Sequence, residues 1–151
     1  MTSKKAWQNN ESVLDRSIFE DSLLFHLNAD LGRATETEVS IYDSLLQNMM
    51  QEISSTDHSK NPDLLIHINI SFETMLRRIQ KRGRSFEQID SDPDLYQYYK
   101  DLNERYQKWY QDYDKSPKIQ IDGDKYDFVE NDADKNKVID MIDAKVEKLA
   151  I

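Results

Sequence analysis

The sequence predicts an α/β fold built on a parallel sheet, and three observations carry that expectation. Short apolar, β-branched runs alternate with longer stretches whose apolar residues recur every three or four positions. The longer stretches open and close on residues that cap helices. The order reads β-α-α-β-α-α-β-α, without repeats or low-complexity segments, and such alternation places helices on the faces of a parallel sheet. At 151 residues, one domain spanning 1–151 with a buried core is expected.

SVLD (12–15) is a short apolar run ending in a carboxylate and reads as a buried parallel strand. An amphipathic helix follows over 17–31, with Ile18, Leu24, Phe25 and Leu31 able to point inward, and Gly32 ends it. Thr35-Glu36-Thr37-Glu38 is a capping box that opens a second helix running to about Ile53. That helix carries Val39, Tyr42, Leu45, Leu46, Met49 and Met50 at helical spacing; residues 54–61 form a polar loop. DLLIHINI (63–70), entered after Pro62, is the clearest strand, and its His67 reads as a structural histidine or a neighbour of the site. Asp92-Pro93 opens a long helix towards Tyr113, whose seam of Leu95, Tyr99, Leu102, Tyr106, Trp109 and Tyr113 is core rather than a stacking platform. KIQID (118–122) is a third strand. Asn131 then caps a last helix to about Leu149, with Val138, Met141, Ile142, Val146 and Leu149 on one side.

Composition excludes several classes of function. A net charge of -9 argues against nucleic acid polymers as partners, because neutralising a phosphate backbone needs a basic face. With no cysteine there is no disulfide frame or thiol nucleophile. His26, His58 and His67 match no metal-ligand spacing, so no metal site is expected. No apolar run reaches transmembrane length and the first residues lack the apolar core of a signal peptide; a cytoplasmic protein without membrane contact is the expectation.

Against that acidic background, LRRIQKRGRSFEQ (76–88) stands out. Arg77, Arg78, Lys81, Arg82 and Arg84 place five cations within eight residues, which marks a place that expects an anion. The stretch begins as a helix, capped by Ser71 with Glu73 in its first turn, and Gly83 ends it. Arg78 and Arg82 lie four apart on one face, and Arg84 follows on a loop. Guanidinium forks arranged this way can close round a polyphosphate. A basic run at a helix C-terminus also complements the macrodipole, so the cluster gains meaning from its neighbours.

Those neighbours sit at the carboxyl ends of the expected strands, where open parallel sheets bind ligands. The first strand ends in Asp15-Arg16-Ser17 with Asp21 soon after, the second leads into the arginine helix, and the third into a loop containing Asp127 and Phe128. DRSIFED (15–21), LRRIQKRGRSFEQ (76–88) and DGDKYDF (122–128) resemble the deoxynucleoside kinase family, particularly its bacterial deoxyadenosine/deoxyguanosine kinases, and the resemblance covers about residues 10–149.

The resemblance implies a P-loop-kinase-like sheet and ATP- and Mg²⁺-dependent phosphorylation of a purine deoxynucleoside at its 5′-hydroxyl. It implies that Asp15 and Arg16 belong to the substrate site, with Arg16 near the 5′-hydroxyl. Asp21 would read the base edge and Glu87 would reach the sugar 3′-hydroxyl. Arg78, Arg82 and Arg84 would form a lid (about 76–92) embracing the donor phosphates and the transferred group, and Asp127 and Phe128 would pack against the donor adenine. Partners would be a deoxynucleoside, a nucleoside triphosphate and, through helices, a second copy or an intact kinase.

One departure qualifies this. The 151 residues hold only three glycines and no G-x-x-x-x-G-K-S/T, so the phosphate loop of the family is absent. The sheet is therefore expected to be incomplete, lacking the family's first two strands, and the chain alone to be nearly inactive. Three outcomes are open at the unpaired edges: direct pairing of 12–15 with 64–70, a ragged domain, or complementation by another chain. Two alternative functions stand beside catalysis: a non-catalytic nucleoside- or nucleotide-binding regulatory subunit, and a thymidylate-kinase-like relative.

Overall fold

The computed structural model describes residues 13–54 and 61–149. It divides into two compact units, 1–61 and 62–151. The first is an α-helical hairpin of α1 (Ile18–Asp30) and α2 (Glu36–Ser54). The second runs β1 (Leu65–Asn69), α3 (Phe72–Arg82), a 3₁₀ turn (Ser85–Glu87), α4 (Asp94–Asp112), β2 (Lys118–Asp122) and α5 (Asp132–Leu149).

In the hairpin both helices start on reciprocal caps. Ser17 and Glu20 form a capping box in which the Ser17 N–H donates to Glu20 Oε2 at 2.9 Å and the Phe19 N–H to Ser17 Oγ at 3.2 Å. Thr35 and Glu38 form the expected one, with Thr35 N–H to Glu38 Oε2 at 2.8 Å and Glu38 N–H to Thr35 Oγ1 at 3.3 Å. Leu27 is fully buried, and Phe25 stacks on Tyr42 with centroids 4.3 Å apart. Leu31, expected inward, is instead exposed, as are Leu45 and Met49 of the apolar stripe on α2. One helix can cover only one stripe of its partner, and the apolar face of α2 is wider than that. Helix α2 ends at Ser54, close to the expected Ile53; the side chains of Ile18 and of residues 52–54, and loop residues 55–60, lie outside the described residues.

The strand expected over 12–15 is not formed. Residue 12 lies outside the described residues, and residues 13–15 carry no strand, with Val13 fully exposed. An extended segment needs a ladder partner to persist, and among the described residues the sheet has two strands only.

Those two strands are parallel, as expected, with Leu65 opposite Lys118 and Asn69 opposite Asp122. Alternation places Leu65, His67 and Lys118 on one face and Ile66, Ile68, Ile119 and Ile121 on the other. Helix α4 covers the first face: His67 stacks on Tyr110 with centroids 4.8 Å apart. Lys118 Nζ donates to the carbonyls of Tyr110, Gln111 and Tyr113 at 2.5, 3.0 and 2.8 Å, gathering the orphan acceptors at the end of α4. Helix α5 lies against β2. On the second face Ile121 is fully buried, whereas Ile66 and Ile68 remain 40% and 47% exposed.

The Asp-Pro start of α4 works as its sequence suggests, the Asp94 N–H donating to Asp92 Oδ1 at 3.0 Å. Asn131 likewise caps α5 through the N–H groups of Ala133 and Asp134, at 2.9 and 3.3 Å.

Lys118→Met is expected to lower unfolding stability by about 1–3 kcal/mol, since it strands three helix-end carbonyls. A shift of the urea midpoint at unchanged slope measures this; an unchanged midpoint contradicts the role given to Lys118.

Candidate functional site: strand tips and the arginine cluster

The second unit converges at the tips of its two strands. Beyond β2, the Gly123 N–H donates to the Asn69 carbonyl at 2.8 Å, so the ladder continues one residue further. A Cβ on Gly123 would lie 2.6 Å from Ile70 Cγ2 and 3.0 Å from Ile68 Cγ2; the side-chain-free position is what lets the two tips touch. Asp124 then caps the helix that follows the other strand. The Ser71 N–H donates to Asp124 Oδ2 at 2.9 Å and the Ser71 hydroxyl to Oδ1 at 3.1 Å. Ser71 Oγ in turn accepts the Thr74 N–H at 3.2 Å. The Thr74 hydroxyl, then Ser71 and the charge of Arg78, hold the Asp124 carboxyl below its ordinary value of 3.8.

Arg78 reaches the same junction from one turn along α3. Its Nη2 donates to the Gly123 carbonyl at 2.6 Å, which uses one of five guanidinium donors. From above, Asn103 Nδ2 of α4 donates to the Ile70 carbonyl at 2.9 Å. Helix α3 is thus fixed at its N-terminus to both strand tips and, through α4, to the sheet.

At the other end of α3, Gly83 adopts the left-handed conformation (φ 70°) and its N–H returns to the Ile79 carbonyl at 3.2 Å. The chain then turns through Ser85–Glu87 and brings Glu87 back beneath the arginines. Arg82 Nη2 lies 2.6 Å from Glu87 Oε2, and Arg84 Nη1 lies 3.4 Å from Oε1. The turn is pinned: the Tyr99 hydroxyl donates to the Glu87 carbonyl at 3.1 Å, and Gln88 Nε2 donates to the carbonyls of Ile79 and Arg84 at 3.2 and 3.0 Å. Burial and the nearby Glu87 charge push the Tyr99 phenol up. Lys81 is drawn aside to Glu130 at 3.0 Å.

Asp127 and Phe128 occupy the loop between β2 and α5. Asp127 Oδ1 accepts the Glu130 N–H at 3.3 Å, and the Asp127 N–H donates to Asp134 Oδ2 at 3.2 Å; Phe128 is half-buried. Asp15, Arg16 and Asp21 belong to the first unit. Arg16 has φ 70°, a left-handed conformation that is strained for a side-chain-bearing residue, and it is exposed immediately before the Ser17 cap. Asp21 is exposed in the first turn of α1. Within the second unit the structure thus brings Arg82, Arg84 and Glu87 together, sets Arg78 on the strand junction, and leaves Asp127 and Phe128 in their own turn.

Sequence reasoning missed the Ser17–Glu20 box, although S-x-x-E was there to be read. It also missed Asp124, Gly123 and Gln88. The Ser71–Asp124 contact spans 53 positions and leaves no local signal.

Fold and site together define an α/β protein in which an arginine-bearing helix starts at the tips of two parallel strands and ends in a cluster of Arg82, Arg84 and Glu87. The deoxynucleoside kinase family model matches residues 2–147. The chain is 52% identical over 146 residues to a deoxyguanosine kinase of Lactobacillus johnsonii, covering 97% of this chain and 65% of that one. It is 51% identical to a deoxyadenosine kinase of Lactobacillus acidophilus, covering 96% and 67%. Among solved structures it is similar in fold to a deoxyadenosine kinase from M. mycoides with bound dCTP, at a TM-score of 0.67 and 22% identity, covering 94% of this chain and 69% of that one. This chain belongs to the deoxynucleoside kinase family. It spans about two thirds of the length of the curated relatives it matches, 65% of the first. Among the described residues no helix is long and apolar enough to cross a membrane.

Because the folded state holds the Asp124 carboxyl low, its contribution to stability is present above the ordinary carboxylate range and lost as pH falls through the lowered value. Asp124→Asn should therefore be less stable than the parent at pH 7, with the gap narrowing below about pH 4. Thermal melts at both pH values check this, and a gap that does not change with pH contradicts it.

Proposed function

We propose that this chain supplies the acceptor side and the arginine lid for ATP-dependent phosphorylation of a purine deoxynucleoside at its 5′-hydroxyl, in cytoplasmic deoxynucleotide salvage. The observation that carries the reading is the convergence on Glu87 of Arg82 and Arg84, which flank the αL turn at Gly83 at the end of a helix tied to the strand tips. Membership of the family and the names of its relatives support it.

In this reading Arg82 and Arg84 fold over the donor phosphates, and the free donors of Arg78 meet the transferred group from the strand junction. Asp15 and Arg16 take the 5′-hydroxyl region, Asp21 the base edge and Glu87 the sugar 3′-hydroxyl. Asp127 and Phe128 pack against the donor adenine. The two units are then parts of one kinase domain, with residues 76–92 as its lid. As the bond between the 5′-oxygen and the γ-phosphorus forms, the bond from that phosphorus to the β–γ bridging oxygen breaks, ADP leaves, and the hydroxyl proton passes to water. The arginines spread and neutralise charge on the phosphoryl oxygens, a contribution of about 10³–10⁵ in rate where such a residue meets the transition state.

Among the described residues no cluster of three or more His, Asp or Glu could hold a metal ion. Mg²⁺ is accordingly assigned to the triphosphate it accompanies rather than to side chains described here.

The missing G-x-x-x-x-G-K-S/T favours a second reading: a regulatory subunit that binds nucleoside or nucleotide and pairs with itself or with an intact kinase.

Calorimetry and a radiometric assay with deoxyadenosine, deoxyguanosine, deoxycytidine and dTMP, each with Mg²⁺ and ATP, test both readings. The 151-residue polypeptide should bind a purine deoxynucleoside in preference to dTMP and turn over little by itself. Preference for dTMP, or no nucleoside binding, contradicts the assignment. Turnover of about 1–100 per second, ordinary for kinases, contradicts the need for a phosphate loop.

A further inference from the structure

We propose that Glu87 is a resident anion that occupies the lid until a polyphosphate displaces it, so that phosphate binding and release of the Glu87 carboxylate are one exchange. The inference rests on the reading of Arg82 and Arg84 as phosphate ligands and adds how that site is regulated.

Three features support it. First, one carboxylate serves both guanidinium groups, through opposite oxygens, at 2.6 and 3.4 Å. Two cations that would otherwise repel each other are held together by a single negative charge. Second, the carboxylate is the fixed member. Its side chain is 15% exposed against 50% and 56% for Arg82 and Arg84. The turn beneath it is fastened by Tyr99 and Gln88. The long arginine side chains are therefore the members free to swing away. Third, the closest contact is poorly aligned. Glu87 Oε2 is buried without a hydrogen bond even though Arg82 Nη2 is 2.6 Å away. A phosphate, with more charge and more acceptor oxygens than one carboxylate, would outbid that contact.

Exchange has a consequence for order of binding. When the arginines move to a polyphosphate, Glu87 loses its cations and becomes a free acceptor at the place assigned to the sugar hydroxyl. Donor phosphates then favour nucleoside binding, and linkage requires the reverse effect to be equal.

The test uses inorganic tripolyphosphate, which has neither base nor sugar. Glu87→Gln keeps the shape and removes the charge, so it should bind tripolyphosphate about fivefold or more tightly than the parent in calorimetry at low salt. A second measurement needs no variant: in the parent protein, the ¹³C carboxyl resonance of Glu87 should move in step with tripolyphosphate saturation. Unchanged or weaker binding by Glu87→Gln, or a resonance that stays put while tripolyphosphate binds, overturns the exchange and leaves the lid reading standing. Failure of both proteins to bind tripolyphosphate overturns the lid reading and the exchange together.

Discussion

The Asp124 carboxylate, accepting the N–H and hydroxyl of Ser71, is the contact from which the rest of the second unit takes its geometry. Parallel strands have no hairpin to hold their tips in register, so something beyond the ladder must fix where each following helix begins. Here the loop after β2 caps the helix after β1. Gly123 allows the approach, Asp124 supplies the acceptors and Arg78 closes the junction from α3. The direction of α3 follows, and with it the position at which Gly83 ends the helix beside Arg82 and turns the chain into Arg84.

Charge sets the arginine cluster apart from the rest of this protein. The chain carries nine net negative charges, yet residues 77–84, on both sides of Gly83, gather cations and assign them unequal partners. Lys81 is drawn to Glu130, Arg78 to a carbonyl, and Arg82 and Arg84 share Glu87. The Lys81–Glu130 pair is exposed on both sides and of a kind that contributes about 0–1 kcal/mol, whereas Arg82 and Arg84 meet a carboxylate that is only 15% exposed. Arg16, immediately before the Ser17 cap, holds a left-handed φ of 70° that is strained for a residue with a side chain.

Much of this was legible from residues that carry their instructions locally. The caps at Thr35, Ser71, Asp92 and Asn131 and the αL glycine at Gly83 act through contacts within a few positions, and all were found where expected. Strand β2 matched residue for residue, and β1 lost only its ends. What could not be read depends on partners distant in the chain. The 12–15 strand failed because a strand exists only with a ladder beside it. Leu45 and Met49 looked like core because periodicity reports an apolar face without saying how much of it a neighbour covers. The arginines were visible as a cluster, but Arg78's seat on Gly123 is a tertiary fact.

A crystal structure of the protein with bound tripolyphosphate tests the central claim most directly. Arg82 and Arg84 should then lie within hydrogen-bond distance of phosphate oxygens and away from Glu87, with the Ser71–Asp124 cap unchanged. Phosphate bound elsewhere on the molecule, with both guanidinium groups still on Glu87, would contradict the account.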